Sequence, residues 1–110
     1  MRICSVLAFS LWIVTSASAQ GYRPKDGYVP DSTTAVKIAE AVLVPVYGKK
    51  KIESEQPFTA TLKDEVWTVS GTLYCPDGKG GEITGDCDGG VAVVQISKID
   101  GRVVSMTHYK

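Results

Sequence analysis

Phe58-Thr59-Ala60-Thr61-Leu62-Lys63-Asp64-Glu65-Val66-Trp67-Thr68-Val69-Ser70-Gly71-Thr72-Leu73, residues 58–73, decides the fold class. Phe58, Ala60 and Leu62 alternate with Thr59, Thr61 and Lys63. Beyond a turn at Asp64-Glu65, Trp67, Val69, Gly71 and Leu73 alternate with Thr68, Ser70 and Thr72. A period of two puts one residue set on each face of a strand, so this stretch reads as two antiparallel strands, each with one wet face. Trp67, on the apolar side with Val69, is a core candidate, and Tyr74 lies on the opposite, accessible face if the second strand stays regular.

Downstream, Val91 to Ile96 is apolar on both faces apart from Gln95, as expected of a central strand. The last strand, Val103 to Tyr109, follows a turn containing Asp100-Gly101. A two-residue loop there would set Ile96 against Ser105 and Val94 against Thr107, mixing apolar with polar. A three-residue loop of Ile99, Asp100 and Gly101, with the glycine left-handed, sets Ile96 against Val104, Val94 against Met106 and Ala92 against His108, and is the register expected.

Upstream the period lengthens. Ala35, Ile38, Ala39, Val42 and Val46 recur at helical spacing, with Asp31 or Ser32 able to cap the first turn. Pro45 and Gly48 set the end, with the regular part expected to stop near Val44 and a last turn reaching Tyr47. Lys49-Lys50-Lys51 complements the dipole at that helix end. The fold class is therefore α+β, one N-terminal amphipathic helix packed on an antiparallel sheet of about four strands.

The first nineteen residues have a different composition. Met1-Arg2, the apolar stretch Ile3 to Thr15 and the small residues Ala17-Ser18-Ala19 have the layout of a secretory signal peptide, with cleavage expected before Gln20 and export to the periplasm. The apolar run is too short to span a bilayer, and no lipobox cysteine follows it, so no stable membrane insertion is expected after cleavage. Residues 20–27, with Arg23-Pro24 and Gly27, read as a flexible tail, and residues 28–110 as a single domain. Such a domain buries only about 60–65% of its unfolded surface. Cys75 and Cys87 are expected to pair in an oxidising compartment, contributing on the order of 3 kcal/mol. Twelve Lys or Arg balance twelve Asp or Glu over the whole chain, and Arg2 belongs to the leader, so nothing in the charge favours nucleic acid as partner.

Chemistry-bearing residues are few. His108, the only histidine, would need a pocket and an orienting partner to serve as an acid or base, and at the end of a terminal strand it reads more naturally as a packed or hydrogen-bonded side chain. Two cysteines with eleven residues between them and one histidine lack the close ligand pairs of zinc sites. Asp77, Glu82, Asp86 and Asp88 offer oxygens suited to calcium, but their spacing fits no EF-hand loop. The segment Cys75 to Gly90 reads instead as a disulfide-closed, glycine-rich hairpin excursion with an acidic surface. Held rigid, such a loop loses little entropy on docking and suits recognition of a basic partner. No catalytic residue, cofactor or metal is expected. Tyr74, Asp77, Glu82, Asp86, Asp88 and His108 are the candidate partner-binding residues.

The order of short segments resembles a known family. Gly27-Tyr28-Val29-Pro30-Asp31, residues 35–40 (AVKIAE), Val46-Tyr47-Gly48, residues 52–58 (IESEQPF), residues 66–73 (VWTVSGTL), Gly89-Gly90-Val91 and Ile96-Ser97-Lys98 through Thr107-His108 together resemble the bacterial immunity proteins with a nuclear-transport-factor-2-like fold. The resemblance covers about residues 27 to 110 and implies that the four-stranded sheet is curved, as a reduced nuclear-transport-factor-2-like cone. It implies a non-enzymatic inhibitor that binds and neutralises a cognate protein toxin, and, with the leader, a toxin that reaches or acts in the periplasm. A full cone of that fold begins with more helix than this chain offers, and the Cys75–Cys87 excursion is longer than expected for it. Two other readings fit parts of the chain: a small-ligand-binding or isomerase-like member of the wider superfamily, and a secreted peptidase inhibitor of the PepSY type.

Overall fold

Described in a computed structural model are residues 21–84 and 89–109, together with Ser10, Trp12 and Ile13. Helix α1 spans Ser32–Tyr47 and is followed at once by a short helix α2, Lys49–Ser54. Strands β1 (Thr59–Lys63), β2 (Val66–Ser70), β5 (Ala92–Ser97) and β6 (Val103–His108) form a curved antiparallel sheet in the order β1-β2-β5-β6. Strands β3 (Tyr74–Pro76) and β4 (Glu82–Thr84) make a separate hairpin. The expected α+β class, with α1 on one face of a four-stranded sheet, is the observed one.

α1 begins where Asp31, in extended backbone, accepts the Thr34 N–H at 2.7 Å through its side chain, satisfying one of the orphan donors of the first turn. Ala35, Ala39 and Leu43 are its fully buried residues. The small alanines let the helix axis approach the sheet, and the buried stripe is rotated toward Leu43 relative to the spacing read from sequence. The helix runs through Pro45 to Tyr47 and is stopped at Gly48, whose N–H bonds the Val44 carbonyl at 2.8 Å and whose φ of 92° suits glycine. Beyond Pro45, which lacks the N–H of a regular turn, Tyr47 packs against the core and Val46 is 59% exposed. Val46 therefore does not belong to the core stripe.

The charged segment after Gly48 is α2, an element the sequence reading lacked. Ile52 alone anchors it in the core, and its three lysines begin this second helix as well as following the first. In the sheet, Lys63 pairs Val66, so Asp64 and Glu65 form a two-residue turn with φ of 51° and 62°. Both residues occupy the left-handed region, as a type I′ hairpin requires. Trp67, Val69, Val94 and Ile96 supply the buried face of the two central strands, and the Trp67 indole donates to the Val29 carbonyl at 2.8 Å. Leu62, paired with Trp67 but on the edge strand, is 44% exposed.

β5 and β6 pair as expected at Ala92 with His108 and Val94 with Met106, but Ile96 faces Val103 and not Val104. An extra residue on β6 makes a bulge between Gln95 and Ile96, so the register read from the turn holds for most of the strand and slips by one beside it. Gly101 is left-handed, with φ 73°. Across the end of β5, the Tyr28 and Val29 amides donate to the Ile99 and Lys98 carbonyls at 3.0 Å each. A side chain on Gly27 would place its Cβ 2.3 Å from the Lys98 carbonyl oxygen.

Candidate functional site

β2 stops at Ser70, three residues short of the strand read through Leu73, and the reason is the segment that joins α2 to β1. The Gly71 amide still donates to Ala92 in β5, at 3.0 Å, but the Thr72 amide turns to the Glu55 carbonyl at 2.7 Å. The Tyr74 hydroxyl donates to the Gln56 carbonyl and the Thr72 hydroxyl to that of Pro57, each at 2.5 Å. Three consecutive carbonyls after the end of α2 are thus satisfied by residues 72–74, so the chain leaves the main sheet and enters β3. Tyr74 is consequently accessible through departure from the sheet and not through alternation on a regular strand.

Glu55 stands at the centre of this corner, 3% exposed. Its Oε1 accepts the Ala92 amide of β5 at 2.5 Å. Its Oε2 lies 3.5 Å from His108 Nε2 and 3.9 Å from Lys51 Nζ. Neither Oε2 nor His108 Nε2 has a hydrogen-bond partner among the described residues. Gly71 makes room: a Cβ there would sit 2.9 Å from Glu55 Oε1 and 3.1 Å from the Phe58 ring. Burial of a carboxylate is costly unless it is paired and hydrogen-bonded, which explains the backbone amide, the ammonium and the imidazole placed around it.

Between α2 and the β3–β4 hairpin lies a cleft of about 480 Å³, lined by Lys51, Glu53, Ser54, Glu55, Gln56, Thr72, Leu73, Tyr74, Glu82, Gly90 and Val91. Its volume falls within the range of binding clefts. It brings together two of the residues singled out from sequence, Tyr74 and Glu82, and adds Lys51, Glu53 and Glu55, which were not. Its charged lining is three carboxylates against one ammonium. Only tertiary structure brings Glu55 under the sheet; the sole sequence signal was an isolated carboxylate within the α2–β1 connection.

The remaining candidates are dispersed. Asp77 is committed to its own turn: its Oδ1 accepts the amides of Lys79 at 2.6 Å and Gly81 at 2.9 Å, and these bonds hold its carboxyl below the ordinary range. It closes the hairpin and does not line the cleft. His108 stands behind the cleft, half-buried, its ring 5.3 Å from that of Tyr47 and tilted by 49°. It reaches the cleft only through Glu55, as a packed residue at a strand end. Cys75 is buried in β3. Its expected partner Cys87 lies outside the described residues, as do Asp86 and Asp88. Among the described residues no group of three or more His, Cys, Asp or Glu is arranged to hold a metal ion, and no helix is long and apolar enough to cross a membrane.

Comparison with known proteins places this geometry in a family. The protein-family model described as "NTF2 fold immunity protein" matches residues 34–110, from the first turn of α1 through β6. The uncharacterized protein YhhH of Escherichia coli K12 is 26% identical over 98 residues, which cover 89% of this chain and 70% of YhhH. The uncharacterized protein YbbC of the same strain is 28% identical over 82 residues, covering 74% of this chain and 60% of YbbC, so this chain spans less than two thirds of that relative. No solved structure matches.

Proposed function

This chain belongs to the NTF2-fold immunity protein family, and from that premise we propose that it binds and neutralises a protein toxin that reaches or acts in the periplasm. Family membership over the whole helix–sheet body carries the reading and supports a toxin-neutralising role. The role is one of binding and not of catalysis. Residues 1–19 act as the export leader, cleaved before Gln20, and the mature protein works where its toxin arrives. Cys75 and Cys87 join in a disulfide there, fixing the hairpin whose flank includes Asp86 and Asp88. Contact with the toxin is made on the α2–hairpin side of the molecule. The cleft and the β3–β4 hairpin lie there, whereas the segment around Tyr28 and Val29 is docked at the other end of β5.

The test combines protection with capture. Cells lacking this protein are expected to be killed or arrested by a toxin of their own strain, and the exported protein should retain that toxin on affinity capture. The pair Asp86→Lys and Asp88→Lys should weaken protection with the fold intact. Survival of the deleted strain in contact with its siblings, together with capture of no toxin, would overturn the immunity reading.

A further inference from the structure

We infer that the cleft between α2 and the β3–β4 hairpin is a socket for an arginine side chain presented by the protein partner, and that Lys51 occupies the position of that cation until the partner arrives. The inference rests on the immunity reading for the partner's identity, but on the cleft alone for its chemistry. Glu55 is the first observation. Its Oε2 is buried and lacks a hydrogen-bond partner among the described residues, with only the longer contacts to His108 Nε2 at 3.5 Å and Lys51 Nζ at 3.9 Å, so a strong acceptor is held behind the cleft wall without a close donor. A buried acceptor left without a hydrogen bond is costly, and a charged donor brought to it recovers part of that cost on binding.

Lys51 is the second observation. Its ammonium stands 3.9 Å from Oε2, beyond hydrogen-bond distance, and its side chain is half exposed on the same cleft wall. A contact this long is a weak one and is readily exchanged for a better cation. Glu53 and Glu82 add two further carboxylates to the lining; Lys49 reaches Glu53 only from outside it, at 3.8 Å between exposed side chains. His108, the other cation-forming group at Oε2, packs from β6 behind the cleft and does not line it. Separated carboxylates beside an aromatic residue, Tyr74, favour the planar five-donor guanidinium over an ammonium, because its fork can serve more than one acceptor and stack on a ring.

The test titrates Nα-acetyl-arginine N-methylamide into ¹⁵N-labelled protein, with the uncharged citrulline analogue as comparator. The arginine probe should shift the amides of Leu73, Tyr74, Gly90 and Val91, and bind about tenfold more tightly than citrulline. Lys51→Met should tighten the probe about threefold by removing the resident cation, and Glu53→Gln with Glu82→Gln should loosen it about fivefold. Lys51→Met is exposed enough to leave the fold unchanged, which the remainder of the spectrum verifies. Equal binding of both probes, shifts confined to other surfaces, or no tightening by Lys51→Met would overturn the socket. Toxin protection that persists without arginine binding would remove the socket and keep the immunity role; a probe that binds in a protein that protects against nothing would do the reverse.

Discussion

Two regions of this molecule are held together by different kinds of force. Between α1 and the four-stranded sheet the interior is hydrocarbon: Ala35, Ala39, Leu43, Val69, Val94 and Ile96, with the one polar atom of Trp67 bonded to Val29. At the corner where α2 meets β2, β5 and β6, the most buried polar group is the Glu55 carboxylate, and backbone carbonyls of the α2–β1 connection replace apolar packing as the fastening. The first kind of contact is non-directional and needs only the right face to be apolar. The second needs individual donors and acceptors in place, and each one can be engaged by an incoming molecule as well as by the protein itself. Apolar packing thereby dominates one region, while the other holds the buried polar atoms without hydrogen-bond partners among the described residues, Glu55 Oε2 and His108 Nε2.

The comparison is broken most directly by large changes on either side of it. Leu43→Ala should remove about 3 kcal/mol, in the range for a buried leucine, read as a lowered urea midpoint for the whole domain. Glu55→Ala leaves the Ala92 amide without its acceptor and should cost about 2 kcal/mol, with local exchange protection lost at Ala92 before the rest of the sheet. A Glu55 variant that melts as badly as the Leu43 variant would show that the corner is no less structural than the body.

How far the sequence reveals each region follows the same division. The alternation of residues 58–70, the apolar run of β5 and the stripe of α1 are statements about which side of an element meets water, and repetition makes them legible. Trp67 as a core residue, the turn at Asp64-Glu65 and the left-handed Gly101 follow from such patterns and from turn chemistry. Val46, α2, the early end of β2 and the bulge opposite Ile96 do not. Each is decided by a partner distant in the chain or by a single interrupted hydrogen bond. Glu55 is the extreme case: its role depends on Ala92, Gly71 and His108, none of which a local window contains. Of the six residues proposed from sequence for partner binding, Tyr74 and Glu82 share the cleft; Asp77 and His108 have structural duties beside it, and Asp86 and Asp88 lie outside the described residues.

Smaller effects sharpen the contrast. Glu65→Gly should raise stability by about 1 kcal/mol, because a non-glycine residue now holds a left-handed conformation in the hairpin of the body. Acid should act on the β3–β4 hairpin as well. The amides of Lys79 and Gly81 hold the Asp77 carboxyl below its ordinary value of 3.8, so its contribution to the hairpin turn is complete above that pH and disappears as pH falls through the lower folded value. Amide shifts of Lys79 and Gly81 should therefore titrate below pH 3.8; movement of these signals near neutrality would assign the turn to another group.

The extra residue beside Ile96 bears on behaviour at high concentration. β6 lies at the margin of the sheet, its sequence Val103-Val104-Ser105-Met106-Thr107-His108 contains no proline or lysine, and Val103 and Val104 are exposed. A flat strand of that composition would template its own kind into fibrils. The bulge beside Val103 and Val104 adds local twist and interrupts the regular spacing of the strand there, which disfavours a second molecule continuing the ladder across that stretch. The irregularity that displaces Val104 from its expected pairing thus also serves as a guard on the exposed edge of the sheet.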